Sequence, residues 1–503
     1  MTPSPGVEPP RVLDDPLVDY RNEAVSREEL TRLGSGMWEA ALDWLYGQGF
    51  RTPVRTSGYA DSRGRFFPDT GEPGSAPASG TGWEAVLGEF TSRIASDAFS
   101  SYQPRTFAYF TPPPLVMSIC GEVLAQWLNQ GVDIWHGAPS ATFVEEEVIG
   151  WLRALVGFPE DSVGVLTSGG AMANLMAMAV ARDRHLGRDG AKKPRAAELE
   201  DAAVYAGDQA HFSIARALDL LGFPADALRI VPTDADFHLL PGDLEDAIER
   251  DIADGARPFA VVAVAGTTNT GAVDPIRDLA AVAKHHGLWF HVDAAYGGAA
   301  RLSRRDADRV DGLELADSVT LDPHKWFFQP YDIGGLLVRN GEDLLGTFRC
   351  SPEYLRTVHD EPLDWFQHSM EGTRRFRGLK LWMAWKHLGT AGLGQLIEQT
   401  NDLAAYLAHR CNEDPAFDAA VERPELSVVC FRVLPPNAAA LTGEELDTHQ
   451  DRVQQALERS GDGWVSTTRL RGRTYLRAGI MNYMSTEDDI DRLLDVLQQA
   501  GSV

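Results

Sequence analysis

Lys325 is the residue of this sequence that most clearly suggests chemistry. It stands in the run Asp322-Pro-His-Lys-Trp, directly after the apolar stretch Ser318–Leu321. Lysines seldom lie unpaired in protein interiors, and removal from water favours the neutral, nucleophilic amine that forms a Schiff base with an aldehyde. A lysine at a strand end whose amine reaches the surface fits the same run. These residues alone leave both interpretations open.

An aspartate, a histidine and a threonine follow other strand-like runs. Asp293 closes His291-Val-Asp and precedes small residues, so a flat ring can approach the backbone while the carboxylate pairs with a protonated ring nitrogen. His211, in Asp208-Gln-Ala-His, can stack on such a ring, and the Thr268 hydroxyl can bond to a ring substituent. Each residue is equally typical of a turn or a helix cap.

The run Thr167-Ser-Gly-Gly-Ala opens a predicted helix with two glycines. Backbone N–H groups at such a turn can converge on a phosphate, although many glycine turns bind nothing. The run has neither the lysine that ends a P-loop nor the third glycine of a dinucleotide-binding turn. Taken together, a reactive lysine, a carboxylate, an imidazole and an anion turn are what pyridoxal 5′-phosphate requires.

The elements that must position these residues are strands alternating with helices. Between about 115 and 375 short apolar runs such as Phe259–Ala265 alternate with amphipathic helices, which predicts an α/β domain with a mainly parallel sheet. The candidate residues all follow these runs, at the strand ends where such sheets bind ligands. We therefore expect an N-terminal helical segment and loop (1–114), a large cofactor-binding domain (115–378) and a small α+β domain (379–503).

Local patterns define the two terminal regions further. Residues 21–56 have helical spacing, and the Gly/Pro/Ser-rich stretch 58–82 predicts a long surface loop. The final run predicts a helix with Ser485 as its N-cap.

Composition excludes several classes of function. A formal net charge of −27 over 503 residues disfavours nucleic acid and anionic membranes as partners. No apolar run approaches the roughly 20 residues of a membrane helix, and the N-terminal run is not a secretory signal. The 4 cysteines are scattered, which argues against a disulfide framework and a structural zinc, so we expect no metal and a cytoplasmic location.

The order of five motifs carries a resemblance to a known family. TSGGAMANL, DQAHFS, GTTNTG, HVDAAYGG and DPHKW resemble the group II pyridoxal-dependent decarboxylases, the aromatic-L-amino-acid decarboxylase family. The similarity extends from about Phe107 to the LRAGIMN run. It implies a fold-type I, aspartate-aminotransferase-like architecture and a homodimer with active sites at its interface, in which residues 1–114 would contact the dimer partner. It also implies conversion of an L-amino acid, aromatic or hydrophobic, to the amine and carbon dioxide.

The resemblance assigns roles position by position. Lys325 would be the Schiff-base lysine, Asp293 the partner of the pyridine nitrogen and His211 the stacking residue. Tyr354 would lie on a mobile loop and deliver a proton to Cα. The other cofactor-binding positions form the phosphate turn, line the ring or adjoin the lysine: Ser168, Gly169, Gly170 and Ala171; Thr268 and Ala295; Asp322 and His324.

The same resemblance places Tyr109 and Phe110 beside the substrate side chain, and four positions depart from the family pattern. Ala171 replaces a serine of the phosphate turn, and Asp322 replaces the asparagine of animal members. The substrate pocket has Ser101 in place of a tryptophan and Asp133 in place of an aromatic residue.

Three other functions compete with amine formation. Oxidative decarboxylation would give an aldehyde, but the relatives that do this replace the loop tyrosine or the stacking histidine, and both are retained here. Transamination or β-elimination would use the same fold. A scaffold without cofactor would have no need of Lys325 and Asp293.

Overall fold

A computed structural model of the chain describes residues 12–51, 58–68, 72–187, 196–350 and 363–502. Contacts divide the chain into two units, the first Met1–Gln103 with Glu458–Trp464 and the second Pro104–Leu457 with Val465–Val503.

The first unit is helical. Its helices are α1 (Glu23–Trp44), α2 (Tyr59–Phe66) and α3 (Trp83–Glu89), with π-helical turns at Leu45–Gly49 and Phe90–Ile94. Helix α2 lies inside the stretch that the sequence predicted as a loop, so that prediction was wrong for these residues. Ion pairs from Arg63 to Glu72 and from Arg65 to Asp97 anchor α2, contacts that Gly/Pro/Ser content does not reveal.

A seven-stranded sheet forms the centre of the second unit, in the order β1-β7-β6-β5-β4-β2-β3. Strand β7 is antiparallel to β1 and β6, and the other pairs are parallel. The interior strands are apolar without alternation because helices cover both faces, which confirms the predicted α/β class. The strands are β1 (Val163–Thr167), β2 (Ala202–Gly207), β3 (Leu228–Val231), β4 (Arg257–Val264), β5 (Trp289–Asp293), β6 (Ser318–Leu321) and β7 (Gly334–Val338).

Helices accompany this sheet and continue beyond it. Helix α12 contains a non-helical residue, Gly389 (φ 66°, ψ 170°), so it is two helices across a kink. None of the helices in the described ranges is long and apolar enough to cross a bilayer. The helices that accompany the large sheet or follow it directly are α4 (Val116–Leu128), α5 (Pro139–Val156), α6 (Gly170–His185), α7 (Ala196–Leu199), α8 (Ser213–Leu220), α9 (Pro241–Ala253), α10 (Ile276–His285), α11 (Gly341–Phe348) and α12 (Gly378–Glu413).

The C-terminal part builds a four-stranded antiparallel sheet in the order β10-β11-β9-β8. The last helix begins after Thr486, whose side chain forms a capping box with Asp489, so the predicted N-cap Ser485 was wrong by one residue. The elements are β8 (Phe417–Ala419), β9 (Val428–Val433), α13 (Gly443–Ser460), β10 (Ser466–Leu470), β11 (Arg473–Gly479) and α14 (Glu487–Gly501).

The large sheet directs five strands toward one edge. Strands β2, β4, β5 and β6 are mutually parallel, and β1 runs the same way because both β1 and β6 are antiparallel to β7. Their carboxyl ends therefore meet at one edge of the sheet, where open α/β sheets bind ligands.

Candidate active site

A cavity of about 320 Å³ opens at this edge. Every residue that the sequence predicted to bind a cofactor lines it, and these residues come from the ends of five strands. The lining residues are Ser168, Gly169, Gly170, Ala171, Met172, Asn174, His211, Val264, Gly266, Thr268, Asp293, Ala295, Tyr296, Asp322, His324 and Lys325.

Lys325 presents its amine to this cavity from the turn that follows β6. The turn is closed by the Lys325 N–H, which donates to the Asp322 carbonyl at 2.8 Å. The Nζ atom lies 3.0 Å from Asp322 Oδ2 and 5.9 Å from the centre of the Phe110 ring. The side chain is 22% exposed and lines the cavity. This geometry suits a nucleophilic amine that a small molecule reaches through the cavity.

Asp322 is enclosed on the side opposite Lys325. Its side chain is 3% exposed, and Oδ1 accepts no hydrogen bond from any described residue. A Cβ atom placed on Gly170 would lie 2.8 Å from Asp322 Oδ2, and one on Gly334 would lie 2.8 Å from Oδ1. The glycines thus leave just enough room for the carboxylate, which stands directly against the predicted phosphate turn.

Asp293, the last residue of β5, is 5% exposed. Its Oδ2 accepts a hydrogen bond from Asn174 Nδ2 at 2.8 Å, and its Oδ1 accepts one from the Ala295 N–H at 3.2 Å. A carboxylate held by two donors at the floor of a cavity is suited to pair with a protonated heteroaromatic nitrogen.

Two imidazoles border the cavity, and burial lowers the pKa of both His211 and His324. His211 Nδ1 lies 2.7 Å from Ser213 Oγ. His324 Nδ1 donates to the Ile333 carbonyl at 2.6 Å, which directs Nε2 toward Asp322 Oδ2 at 3.7 Å. Both rings are therefore neutral near pH 7, and a neutral ring can stack on another aromatic ring without a charge to desolvate.

The glycine turn precedes α6. The N-cap of this helix is Gly169, so the N-cap residue has no side chain to bond the first amides of the helix. The positive end of the helix dipole and the turn amides suit an anion there. Ala171 contributes no hydroxyl. The amine, the carboxylate, the neutral imidazole and the anion turn together fit pyridoxal 5′-phosphate, although the acid at Asp322 opposes its phosphate.

The predicted substrate residues are more scattered. Phe110 stacks on Tyr296 with ring centres 4.3 Å apart, and Tyr109 beside it is exposed. Asp133 is not among the cavity-lining residues, and its carbonyl accepts from the Phe366 N–H. Ser101 is buried in the first unit. Tyr354 lies outside the described residues.

Sequence reasoning missed three residues of the site. Asn174 lines the cavity under Asp293, and Tyr296 stacks between Phe110 and Trp326, with ring centres 4.9 Å from the latter. Arg477 is buried and donates to the carbonyls of Thr268 at 2.8 Å and Ala108 at 3.1 Å, which fixes the segment before Phe110 beside the cavity. The only signal in the sequence was the placement of an amide and a guanidinium within apolar runs.

Comparisons with known proteins agree with this geometry. Residues 69–434 match the pyridoxal-dependent decarboxylase conserved domain. The aromatic-L-amino-acid decarboxylase of Bacillus atrophaeus is 32% identical over 424 residues, 84% of this chain and 86% of that protein. The L-2,4-diaminobutyrate decarboxylase of Rhizobium meliloti (strain 1021) is 35% identical over 430 residues, 84% of this chain and 83% of that protein.

A solved structure resembles the whole fold. The crystal structure of Oryza sativa TDC with PLP and tryptamine superimposes with a TM-score of 0.83 at 28% identity and covers 99% of both chains. The family match, the relatives and the cavity around Lys325 lead to one identification: this chain belongs to the pyridoxal-dependent decarboxylases and is a pyridoxal 5′-phosphate enzyme that decarboxylates an amino acid.

Proposed function

We propose that the enzyme acts on an aromatic or hydrophobic L-amino acid and that the residues around the cavity have the roles described below. The observation that carries the proposal is the joint exposure of the Lys325 amine and the Asp293 carboxylate to one cavity beside a stack of aromatic rings. One relative is named for an aromatic substrate and another for diaminobutyrate, so the relatives do not decide which substrate side chain this enzyme accepts. We therefore choose the substrate class from the residues around the pocket.

Bound pyridoxal 5′-phosphate supplies the electron sink that a substrate needs when its Cα loses a carboxylate. Lys325 would hold the cofactor covalently through its amine. Asp293 stabilises a proton on the ring nitrogen through a charge-assisted contact, and His211 covers one face of the ring. The amides that follow Ser168 hold the phosphate group.

The substrate side chain lies against Phe110 in this proposal. The rings of Phe110, Tyr296 and Trp326 form a continuous stack, with centres separated by 4.3 and 4.9 Å. An aromatic wall favours a flat apolar side chain, which packs against it, over the charged amine of diaminobutyrate, which would have to give up its water. Ser101 and Asp133 remain predicted substrate residues.

Proton delivery to Cα is assigned to Tyr354, and His324 is assigned to the substrate and phosphate side of Lys325. Burial lowers the pKa of His324, so its ring can donate one N–H and accept at the other nitrogen near pH 7. The His324 Nδ1 proton is engaged by Ile333, which leaves Nε2 to face the cavity.

We also propose a homodimer whose active sites lie at its interface, a cytoplasmic location and the division into 1–114, 115–378 and 379–503. Exposed apolar side chains support the dimer. Helix α4 exposes one apolar stripe, and the first unit has an apolar groove of about 780 Å³. Apolar surface of this extent is typical of protein interfaces. The α4 stripe consists of Val116, Val123, Leu124, Trp127 and Leu128.

The experiment is a screen of carbon dioxide release from single L-amino acids by the purified enzyme with added cofactor. We expect the highest kcat/KM with an aromatic amino acid and a loss of that preference in Phe110→Ala. The variant Phe143→Ala removes an exposed phenylalanine outside the cavity and serves as the control. A preference for diaminobutyrate that Phe110→Ala leaves unchanged would contradict the proposed substrate class.

A further inference from the structure

Asn174 is a buried amide on α6 beneath the cavity, and it is 1% exposed. A side-chain amide has two N–H donors and an oxygen that accepts two hydrogen bonds. Nδ2 donates to Asp293 Oδ2 at 2.8 Å and to Ser213 Oγ at 2.9 Å. Oδ1 accepts from Thr320 Oγ1 at 2.7 Å and lies 3.1 Å from His291 Nε2. All the hydrogen-bonding capacity of the amide is therefore used.

The oxygen side of Asn174 fixes the protonation of His291. Because an amide oxygen only accepts, His291 Nε2 must carry a proton. Burial lowers the pKa of His291, so the ring is neutral and Nδ1 is an acceptor. Ser318 Oγ lies 2.9 Å from Nδ1 and itself accepts from Trp289 Nε1 at 2.9 Å, so the Ser318 hydroxyl proton points to the ring.

The nitrogen side of Asn174 fixes the protonation of His211 in the same way. Ser213 Oγ accepts from Asn174, so its hydroxyl proton is available to His211 Nδ1 at 2.7 Å. The Ser213 N–H also points to Nδ1, at 3.3 Å, which again requires a lone pair there. The neutral ring of His211 consequently carries its proton on Nε2.

Only one orientation of the Asn174 amide satisfies these contacts. A rotation by 180° would place Oδ1 against the Asp293 carboxylate, which only accepts. This buried contact would become repulsive and the carboxylate would lose a donor, which is costly in a low-dielectric interior.

We propose that Asn174 is a positioning residue that couples the carboxylate of Asp293 to the tautomer of His211. This inference rests on the proposed roles of those two residues. The bond from Asn174 Nδ2 to Asp293, here the Asp293 arm, orients that carboxylate toward the ring nitrogen of the cofactor. The bond from Asn174 Nδ2 to Ser213, here the His211 arm, holds His211 with a proton on Nε2.

The two arms predict different results. Asn174→Leu keeps the size of the side chain and removes both arms, so the dissociation constant of pyridoxal 5′-phosphate should rise by about tenfold or more, the effect of a lost hydrogen bond to a charged group. Ser213→Ala removes the hydroxyl of the His211 arm and leaves His211 Nδ1 with the longer 3.3 Å contact from the backbone N–H of residue 213. It should leave the dissociation constant unchanged and lower kcat by about tenfold, with a shifted pH profile of kcat.

Asn401→Leu is the matched control. Asn401 is 4% exposed and donates to a buried carboxylate, Asp306 Oδ2, at 2.9 Å, but it does not line the cavity. The control should lower the melting temperature about as much as Asn174→Leu and leave cofactor affinity and kcat unchanged. Should Asn174→Leu not fold, two milder variants carry the test: Ser213→Ala removes the Oγ bonds to Asn174 and His211, and Thr320→Val removes one bond to Asn174 Oδ1.

The experiment is a spectroscopic titration of cofactor-free protein with pyridoxal 5′-phosphate, together with kcat against pH. Equal affinities for wild type, Asn174→Leu and Asn401→Leu would overturn the first arm, and an unchanged kcat profile in Ser213→Ala would overturn the second. A wild-type chain that binds no cofactor would instead contradict the proposed function, so the two failures are distinguishable.

Discussion

Replacing Asp322 with asparagine should tighten cofactor binding. The carboxylate lies against the glycine turn proposed to hold the phosphate, and its Oδ1 accepts no hydrogen bond from any described residue. It also holds the Lys325 amine in an ion pair at 3.0 Å. Asp322→Asn removes the repulsion toward an incoming phosphate and releases the amine, and both effects favour the bound state.

The magnitude follows from the position of the charge. Two unit charges about 5 Å apart interact by about 3 kcal/mol at an effective dielectric constant of about 20. Because the neighbouring Lys325 and the solvent in the cavity screen part of this repulsion, we expect a gain of about 1.4 to 2.8 kcal/mol, a 10- to 100-fold lower dissociation constant.

The assay is the same titration of cofactor-free protein, followed by the visible absorbance of the lysine-bound cofactor. Asp317→Asn is the control, since Asp317 precedes β6 where Asp322 follows it, and it removes an equal charge away from the cavity. An affinity in Asp322→Asn that equals or falls below that of wild type would show that the carboxylate does not oppose cofactor binding.

Three further predictions address other parts of the enzyme. Tyr354→Phe should keep cofactor binding but divert product to an aldehyde, and hydrogen peroxide released with carbon dioxide measures this; an unchanged amine yield would contradict it. The hydrogen bond to Glu425 is the main cause that raises the pKa of His238 from 6.5 to about 9. Protonated His238 therefore stabilises the folded protein fully below about pH 6.5, and this stabilisation is lost as pH rises through about 9. Melting temperatures of wild type should fall across that range more steeply than those of His238→Gln, and parallel curves would contradict this. Arg374→Met should cost about 3–5 kcal/mol of unfolding free energy because it leaves Glu145 charged and buried, and Arg374→Met with Glu145→Leu should recover part of this in urea unfolding; a single variant as stable as wild type would refute that cost.

The site residues at strand ends could be predicted from the sequence because the α/β pattern alone puts them at one edge of the sheet. No contact between residues distant in the sequence has to be known for this. Lys325, Asp293 and His211 each follow an apolar run, and parallel strands bring such ends together. Helix capping was ambiguous for a local reason: Ser485 and Thr486 both have an aspartate three residues later, and only the structure shows that Thr486 forms the capping box.

Asn174 could not be found in this way. Its partners Ser213, His291, Asp293 and Thr320 belong to two strands and another helix, so the network exists only once the sheet is assembled. Strand β7 was missed because its run begins with two glycines, which are depleted in strands.

Borohydride reduction of the holoenzyme, followed by peptide mass spectrometry, tests whether Lys325 carries the cofactor. We expect the cofactor to be fixed on Lys325 alone and both the label and the visible absorbance to be lost in Lys325→Ala. Lys380 is the internal comparison, since it is fully buried and burial lowers its pKa to about 7, which makes it a second amine with nucleophilic character. A label on Lys380, or an unchanged spectrum in Lys325→Ala, would contradict the account.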